Sequence, residues 1–286
     1  MIKIEDYLRN YSNKTIYYCP NPGNAGDALI ALATYQLFKR LGINYKIAKP
    51  GGDDLRNKVV FYGGGGQLVN IYNGYAIKFL LSYKDVVKKL VVLPHTINLE
   101  QSIIKSFDNN VDVMCRERIS LEYVKKNNQN VNTYIFDDLV FSMNLVEVFN
   151  KKIEASLYTI LDLKHLYHYI KFLVNKTSTH CKIFNSFRTD LEKSELKLPK
   201  YNYDVSSEFG ALIFNEKLSR SIGYHLLNFI NQFRVINTNR LHIAISGAVL
   251  GKEVNFYQNS YWKNKAVYDF SMKTQYPNVI WKGNSI

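Results

Sequence analysis

The sequence predicts an α/β protein made of two Rossmann-like domains with an interdomain cleft. Three observations carry this expectation. Short β-prone runs alternate with apolar-periodic helical stretches, the pattern of a parallel sheet covered on both faces. The alternation breaks once, over 151–176, and then resumes. Glycine, arginine and histidine residues recur just after the strands, at the carboxyl edge where open α/β sheets bind ligands.

In the first half, Lys14–Cys19 reads as a strand, the loop from Pro20 to Asp27 follows, and Ala28–Leu41 has helical apolar spacing stopped by Gly42. Ile43–Ala48 and Val59–Tyr62 are the next strands, the latter running into Gly63–Gly66 and a helix-like stretch. Leu90–Leu93 is a fourth strand, closed by Pro94 and His95. Val111–Cys115 is a fifth, followed by Arg116 and a helix through Lys126, and Thr133–Phe136 is a sixth, ending at Asp137 and Asp138.

The stretch Lys151–Lys176 carries a helical apolar stripe with lysines among it. It suits a domain connection, a dimer surface or a membrane-surface helix, with plain packing of an amphipathic face the simplest account. The expected organisation is an N-terminal domain over 1–150, a connecting helical segment over 151–180 and a C-terminal domain over 181–286. In that last domain Lys182–Ser186, Phe233–Ile236 and Glu253–Tyr257 read as strands, Leu218–Gln232 and the run to Leu250 as helices, and Tyr261–Phe270 as a polar aromatic segment.

A chain of 286 residues with 47% hydrophobic content can bury a full core. Its net charge of +13 favours an anionic partner. The lysines are scattered, so nucleic acid is not the expected one. Cys19, Cys115 and Cys181 form no metal spacing and no disulfide framework, which fits a reducing compartment. The amino terminus lacks a signal-peptide pattern, and no run approaches a membrane span. The expected location is the cytoplasm, with the inner face of the membrane as a surface the protein can rest on.

The chemistry is expected after the strand that ends near Ile236. Asn237, Thr238 and Asn239 are small and polar, and Thr238 or Asn239 can cap the helix that follows. Arg240 and His242 then stand at a helix start, where free N–H groups and the helix dipole favour an anion. The alternative is an ordinary helix start, with Arg240 paired to an acid and His242 packed in the core. Arg116 and Arg188 also follow strands, and Arg grips carboxylate and phosphate bidentately. Arg116 could instead pair with Glu117 or Glu122. Gly23-Asn24-Ala25-Gly26-Asp27 lets backbone approach a ligand, with Asp27 either a helix cap or a base. Gly63–Gly66 suggests close approach to a ligand or to the other domain. His165 and His168 read as surface, and His95 as a secondary candidate at a strand end.

Taken in order, Gly23–Asp27, Gly63–Gly66, Met114–Ser120, Asp137–Asp138, Phe187–Glu192 and Asn239–Ala244 through Lys265 resemble the polysaccharide pyruvyl transferase family. The resemblance spans nearly the whole chain, and Arg240-Leu241-His242 is its most specific part. The chain departs from the family at Leu93–Ile97, where members often carry a Gly-x-Ser/Thr-x-Gly-Pro-like turn. The resemblance implies a GT-B-like fold and transfer of pyruvate from phosphoenolpyruvate to two hydroxyls of a sugar, forming a cyclic ketal and releasing phosphate. It implies a saccharide acceptor, lipid-linked, for a surface polysaccharide or cell-wall glycan, and no cofactor or metal beyond the donor substrate.

On this reading His242 and Asp27 are catalytic. Arg240, Arg116, Arg188, Asn239 and Lys265 bind the donor, and Asn24, Gly26, Gly64 and Gly65 face the acceptor. An imidazole suits the proton transfer, because its proton exchanges in the neutral range. The alternatives are a GT-B-type glycosyltransferase using a nucleotide sugar, and a non-catalytic protein that binds anionic glycans.

Overall fold

The computed structural model describes residues 3–48, 51, 54–72, 74–176, 182–209 and 215–284. Cys181 and residues 177–180 of the expected connecting segment lie outside them. The chain divides into two compact units. The first is Met1–Pro22 and Ile30–Met143 with Ile213–Asn215, and the second is Gly23–Leu29, Asn144–Leu212 and Glu216–Ile286.

The first unit contains α1 (Ile4–Leu8), β1 (Thr15–Cys19), α2 (Ala25–Arg40, whose first turn counts with the second unit), β2 (Asn44–Ile47), β3 (Val59–Tyr62) and β4 (Gly65–Val69). It continues with α3 (Tyr75–Tyr83), β5 (Lys89–Asn98), α4 (Gln101–Lys105), β6 (Val111–Cys115), α5 (Arg118–Asn127) and β7 (Asn132–Ile135). The sheet order is β2-β1-β3-β5-β6-β7, with β4 paired to β5, and the pairs are parallel. Val60, Leu90, Val92, Val111 and Val113 of the sheet pack with Phe79 and Leu80 of α3, Ile104 of α4 and Val124 of α5. β-Branched strands buried on both faces read as short apolar runs, which is why the sequence pattern found them.

Two expectations change here. The stretch after the glycines is first a strand, β4, and only then a helix. The fourth strand does not stop at Pro94. β5 pairs with β3 up to Val92 and with β4 from His95 on, and its register against β6 shifts between Val92 and His95. Pro94 sits at that change of partner, where its missing N–H breaks no regular ladder. His95 is therefore inside a strand and fully buried, with Nδ1 3.0 Å from the Leu93 carbonyl oxygen.

The second unit holds α6 (Leu145–Asn150), α7 (Lys152–Leu161), α8 (Leu163–Lys176), β8 (Ile183–Ser186), α9 (Glu216–Ile230), β9 (Val235–Thr238), α10 (Leu241–Val249), β10 (Glu253–Tyr257), α11 (Lys263–Val267) and β11 (Val279–Gly283). Its parallel sheet has the order β11-β10-β9-β8. β11 was not anticipated. Each unit is thus a Rossmann-like layer of parallel strands and helices. Apart from Gly23–Leu29, the unit begins at Asn144 rather than at 181 and takes in the segment expected to connect two domains, with α6 packed on α9 and Phe149 meeting Tyr224 edge-on at 6.4 Å.

The single helix expected over 151–176 is broken. Asp162 leaves the helical region at φ −101°, ψ 102°, and its Oδ1 accepts from the His165 N–H at 2.7 Å, starting α8 afresh. His165, expected at the surface, is buried, because its Nε2 lies 2.8 Å from Ser221 Oγ in a network with Thr159 and His225. Phe229 of α9 joins Phe172 and Phe184 at 5.2 and 5.1 Å in edge-on contacts. Gly247 brings α10 against the sheet, since a Cβ there would fall 2.6 Å from Val254 and 2.8 Å from Ile236.

Burial pushes His95 down to about 3 and His165 down to about 4. Both are neutral when folded, so the unfolded chain binds more protons between those values and about 6.5. Stability contributed this way is complete above about pH 6.5 and is lost as pH falls. The urea midpoint should therefore drop between pH 7 and about pH 4.5, and drop less in His165→Gln. Equal slopes in both proteins would contradict this role for His165.

Among the described residues, no helix is long and apolar enough to cross a membrane.

Candidate functional site

β8 and β9 are parallel neighbours with Ser186 opposite Thr238, so the residues just past their ends lie side by side. The Arg188 N–H donates to Asn239 Oδ1 at 2.7 Å, and Thr238 Oγ1 accepts from the Arg240 N–H at 2.9 Å. The two polar residues expected to cap α10 are used in these ties instead. Arg240 itself occupies the cap position, and no side chain caps the helix.

The two guanidiniums are buried among carboxylates. Arg240 Nε donates to Asp204 Oδ1 at 2.7 Å, a second arm also reaches Asp204, and Nη1 lies 2.9 Å from Asp190 Oδ2. Arg188 forks onto Asp190 at 2.8 and 2.9 Å and reaches Glu192 at 2.8 Å. Lys263 also contacts Glu192. Three cations thus face three carboxylates. Asp190 differs from the other two: its side chain is 39% exposed, against 2% for Glu192 and 6% for Asp204. Burial alone would raise its carboxyl, but Arg188 and Arg240 override that and hold it down to about 2.

The loop before α2 is a reciprocal cap. The Gly26 N–H donates to Asn24 Oδ1 at 2.8 Å, and the Asn24 N–H donates to Asp27 Oδ2 at 2.9 Å. Asp27 thus serves as a cap of α2 through Oδ2. Gly26 lies against the imidazole of His242: a Cβ there would fall 2.3 Å from Nδ1. Asn24, Gly26 and Asp27 therefore belong with His242 in the second unit, not with the N-terminal domain. His242, in the first turn of α10, rests on the first turn of α2, so two helix starts converge at this ring.

Other expected site residues lie elsewhere. Lys265 is near the surface, with its side chain 46% exposed and paired to Asp269. The lysine that joins the arginines is Lys263, two residues earlier in the same segment. Arg116 belongs to the first unit, where Nε donates to Thr96 Oγ1 at 2.9 Å and Nη1 to Asp138 at 2.8 Å, all buried. The partner is neither Glu117 nor Glu122. Glu117 caps α5 by accepting from the Ser120 N–H at 2.9 Å. Gly64 and Gly65 also lie in the first unit. A Cβ on Gly63 would fall 2.5 Å from the Asn21 nitrogen, and one on Gly64 2.8 Å from the Pro94 oxygen. The close approach expected for a ligand is made there by the unit's own backbone.

Beside the arginine cluster, at the carboxyl edge of β8, β10 and β11, is a depression of about 710 Å³ lined by Lys193, Ser194, Gln258, Asn259, Ser260 and Asn284 among others. Ser194 Oγ accepts from Asn239 Nδ2 at 3.1 Å, and Asn259 Nδ2 donates to Glu192 at 3.2 Å, so the depression shares walls with the cluster. Its lining is mostly amide and hydroxyl. Among the described residues, no three His, Cys, Asp or Glu side chains are grouped to hold a metal ion.

Asp190, Glu192, Asp204 and Lys263 are the residues of this region to which sequence reasoning gave no role. The acids at the second and fourth positions after Arg188 were a usable signal. Asp204 had none, since only the fold brings it to Arg240.

Residues 24–261 match the polysaccharide pyruvyl transferase family. A crystal structure of an uncharacterized protein from Klebsiella pneumoniae superposes with a TM-score of 0.78 at 32% identity, covering 98% of this chain and 96% of that one. No protein of curated function matches significantly.

Proposed function

The chain belongs to the polysaccharide pyruvyl transferase family, and on that premise we propose that it moves pyruvate from phosphoenolpyruvate onto two hydroxyls of a saccharide, as a ketal. The observation that carries this reading is Asp190, a solvent-facing carboxylate held by two buried arginines at adjacent strand ends. The donor's carboxylate has the same shape and charge and takes its place on Arg188 and Arg240. Asn239 holds the Arg188 backbone in register.

His242 follows Arg240 by two residues, at the two converging helix starts that suit the donor's phosphate. It protonates the methylene carbon of phosphoenolpyruvate, which becomes the methyl group. The first sugar hydroxyl adds to the neighbouring carbon and gives up its proton. The second hydroxyl then displaces phosphate from that carbon and closes the ketal. Asp27, beside the imidazole through Gly26, is the base for the hydroxyl protons. Asn24 and the amide-lined depression suit uncharged hydroxyl groups. The same proposal has a lipid-linked acceptor, work at the cytoplasmic face of the membrane, no cofactor, and a GT-B-like pairing of the two units.

The test is incubation with phosphoenolpyruvate and a panel of galactosides and mannosides, reading phosphate release and acceptor mass. Transfer from a nucleotide sugar, with no phosphoenolpyruvate-dependent gain on any acceptor, would sink the reading. Asp190→Asn removes the competing charge while keeping the side chain's shape. Its KM for phosphoenolpyruvate should fall about tenfold, roughly 1.4 kcal/mol, with kcat within about twofold. A raised KM with kcat lost would assign Asp190 to holding the arginines in place instead.

A further inference from the structure

α7 and α8 carry an outward apolar face. Ile153, Leu157, Ile160 and Leu161 of α7 are 75, 53, 64 and 78% exposed. Leu163, Tyr167, Ile170 and Val174 of α8 are 80, 66, 52 and 65% exposed. Spacings of three, four and seven place each set on a single helix face. The opposite faces, with Ala155 and Thr159 on α7 and His165 and Phe172 on α8, are buried. Scattered exposed leucines need no account, but a continuous stripe over two successive helices does.

The corner between the helices is the most apolar point. Leu161 and Leu163 flank Asp162 and are the most exposed of the set. The Asp162 carboxylate is turned back into the chain, accepting from the His165 N–H at 2.7 Å and the Tyr158 hydroxyl at 3.3 Å. Basic residues border the stripe: Lys152 and Lys164 are exposed, and Lys171, half exposed, meets Glu208 at 3.1 Å. Over 151–176 five lysines stand against Glu154 and Asp162, with Lys151 paired to Glu147 and Lys171 to Glu208, so the exposed Lys152 and Lys164 carry the positive charge of the stripe.

We propose that the α7–α8 corner docks on an anionic lipid surface, with Leu161 and Leu163 entering the acyl boundary and the lysines meeting the headgroups. The exposed Lys152 and Lys164 decide between this and a second copy of the chain. Two copies meeting here would bring like-charged faces together, whereas anionic headgroups complement them. The inference concerns binding, not turnover, so it can fail or hold separately from pyruvyl transfer.

The test uses the full-length protein and sedimentation with vesicles of phosphatidylcholine, alone or with phosphatidylglycerol at about 30 mol%. Partition should be about tenfold higher on the anionic vesicles. It should fall about tenfold in Leu161→Ser/Leu163→Ser and in Lys152→Glu/Lys164→Glu. All four positions are exposed, and circular dichroism checks that the fold persists. Anionic binding that the leucine pair leaves unchanged overturns the proposal. So does failure to bind vesicles together with a dimer, seen by light scattering, that the leucine pair dissociates.

Discussion

Replacing His242 with Gln is expected to lower turnover by about a hundred- to ten-thousandfold, the usual worth of a positioned general acid. Donor binding should change only a few-fold if, as proposed, the arginines rather than the imidazole hold the carboxylate. Deuterium from heavy water should appear in the ketal methyl group of the wild-type product, reporting the proton delivered to carbon. Gly26→Ala tests the same step through geometry. A Cβ at that position would lie 2.3 Å from His242 Nδ1, so the ring must move. It should lose turnover with little change in melting temperature. Near wild-type turnover in His242→Gln would end the general-acid assignment.

Arg116→Ala is expected to destabilise the protein by about 3–5 kcal/mol, the cost of stranding one member of a buried ion pair. Arg116 and Asp138 are each about 1% exposed, and Asp138 also accepts from the Val140 N–H at 3.0 Å. Without the guanidinium the carboxylate stays in place with little water to replace it. The double replacement Arg116→Met/Asp138→Leu removes both charges and should recover most of the loss. Urea unfolding measures both. If Arg116→Ala loses less than about 1 kcal/mol while the KM for phosphoenolpyruvate rises steeply, Arg116 is a donor ligand after all, as the family resemblance implied.

The sequence made the strands of both sheets legible where burial on two faces leaves a short apolar run, as at Val59–Tyr62 and Val111–Cys115. It misled at Pro94, because a proline ends a regular strand and only the fold reveals that β5 changes partner there. It also misled at Asp162, where a helical apolar stripe continues in register across a broken helix. At the site, Arg188 and Arg240 were visible from their place after strands. Their partners were harder. Asp204 is distant in sequence, and Lys263 and Lys265 are indistinguishable by composition until α11 turns one inward and the other outward. Gly26 was noticed for backbone approach, but that the approaching group is His242 needed the structure.

Strand pairing in both sheets is parallel, and that governs how the chain can reach this state. A parallel pair cannot form as a hairpin, so each ladder waits for an intervening crossover to be laid down. β1 must wait for β3 as well as β2, and β8 can pair with β9 only after α9 has been made. Such non-local closure is slow, and apolar strands stay uncovered while it proceeds. During synthesis the first sheet can close long before β8 emerges. Folding of this protein should therefore be paced by translation, with the second sheet, whose loops carry the arginine cluster, the last part to acquire its shape.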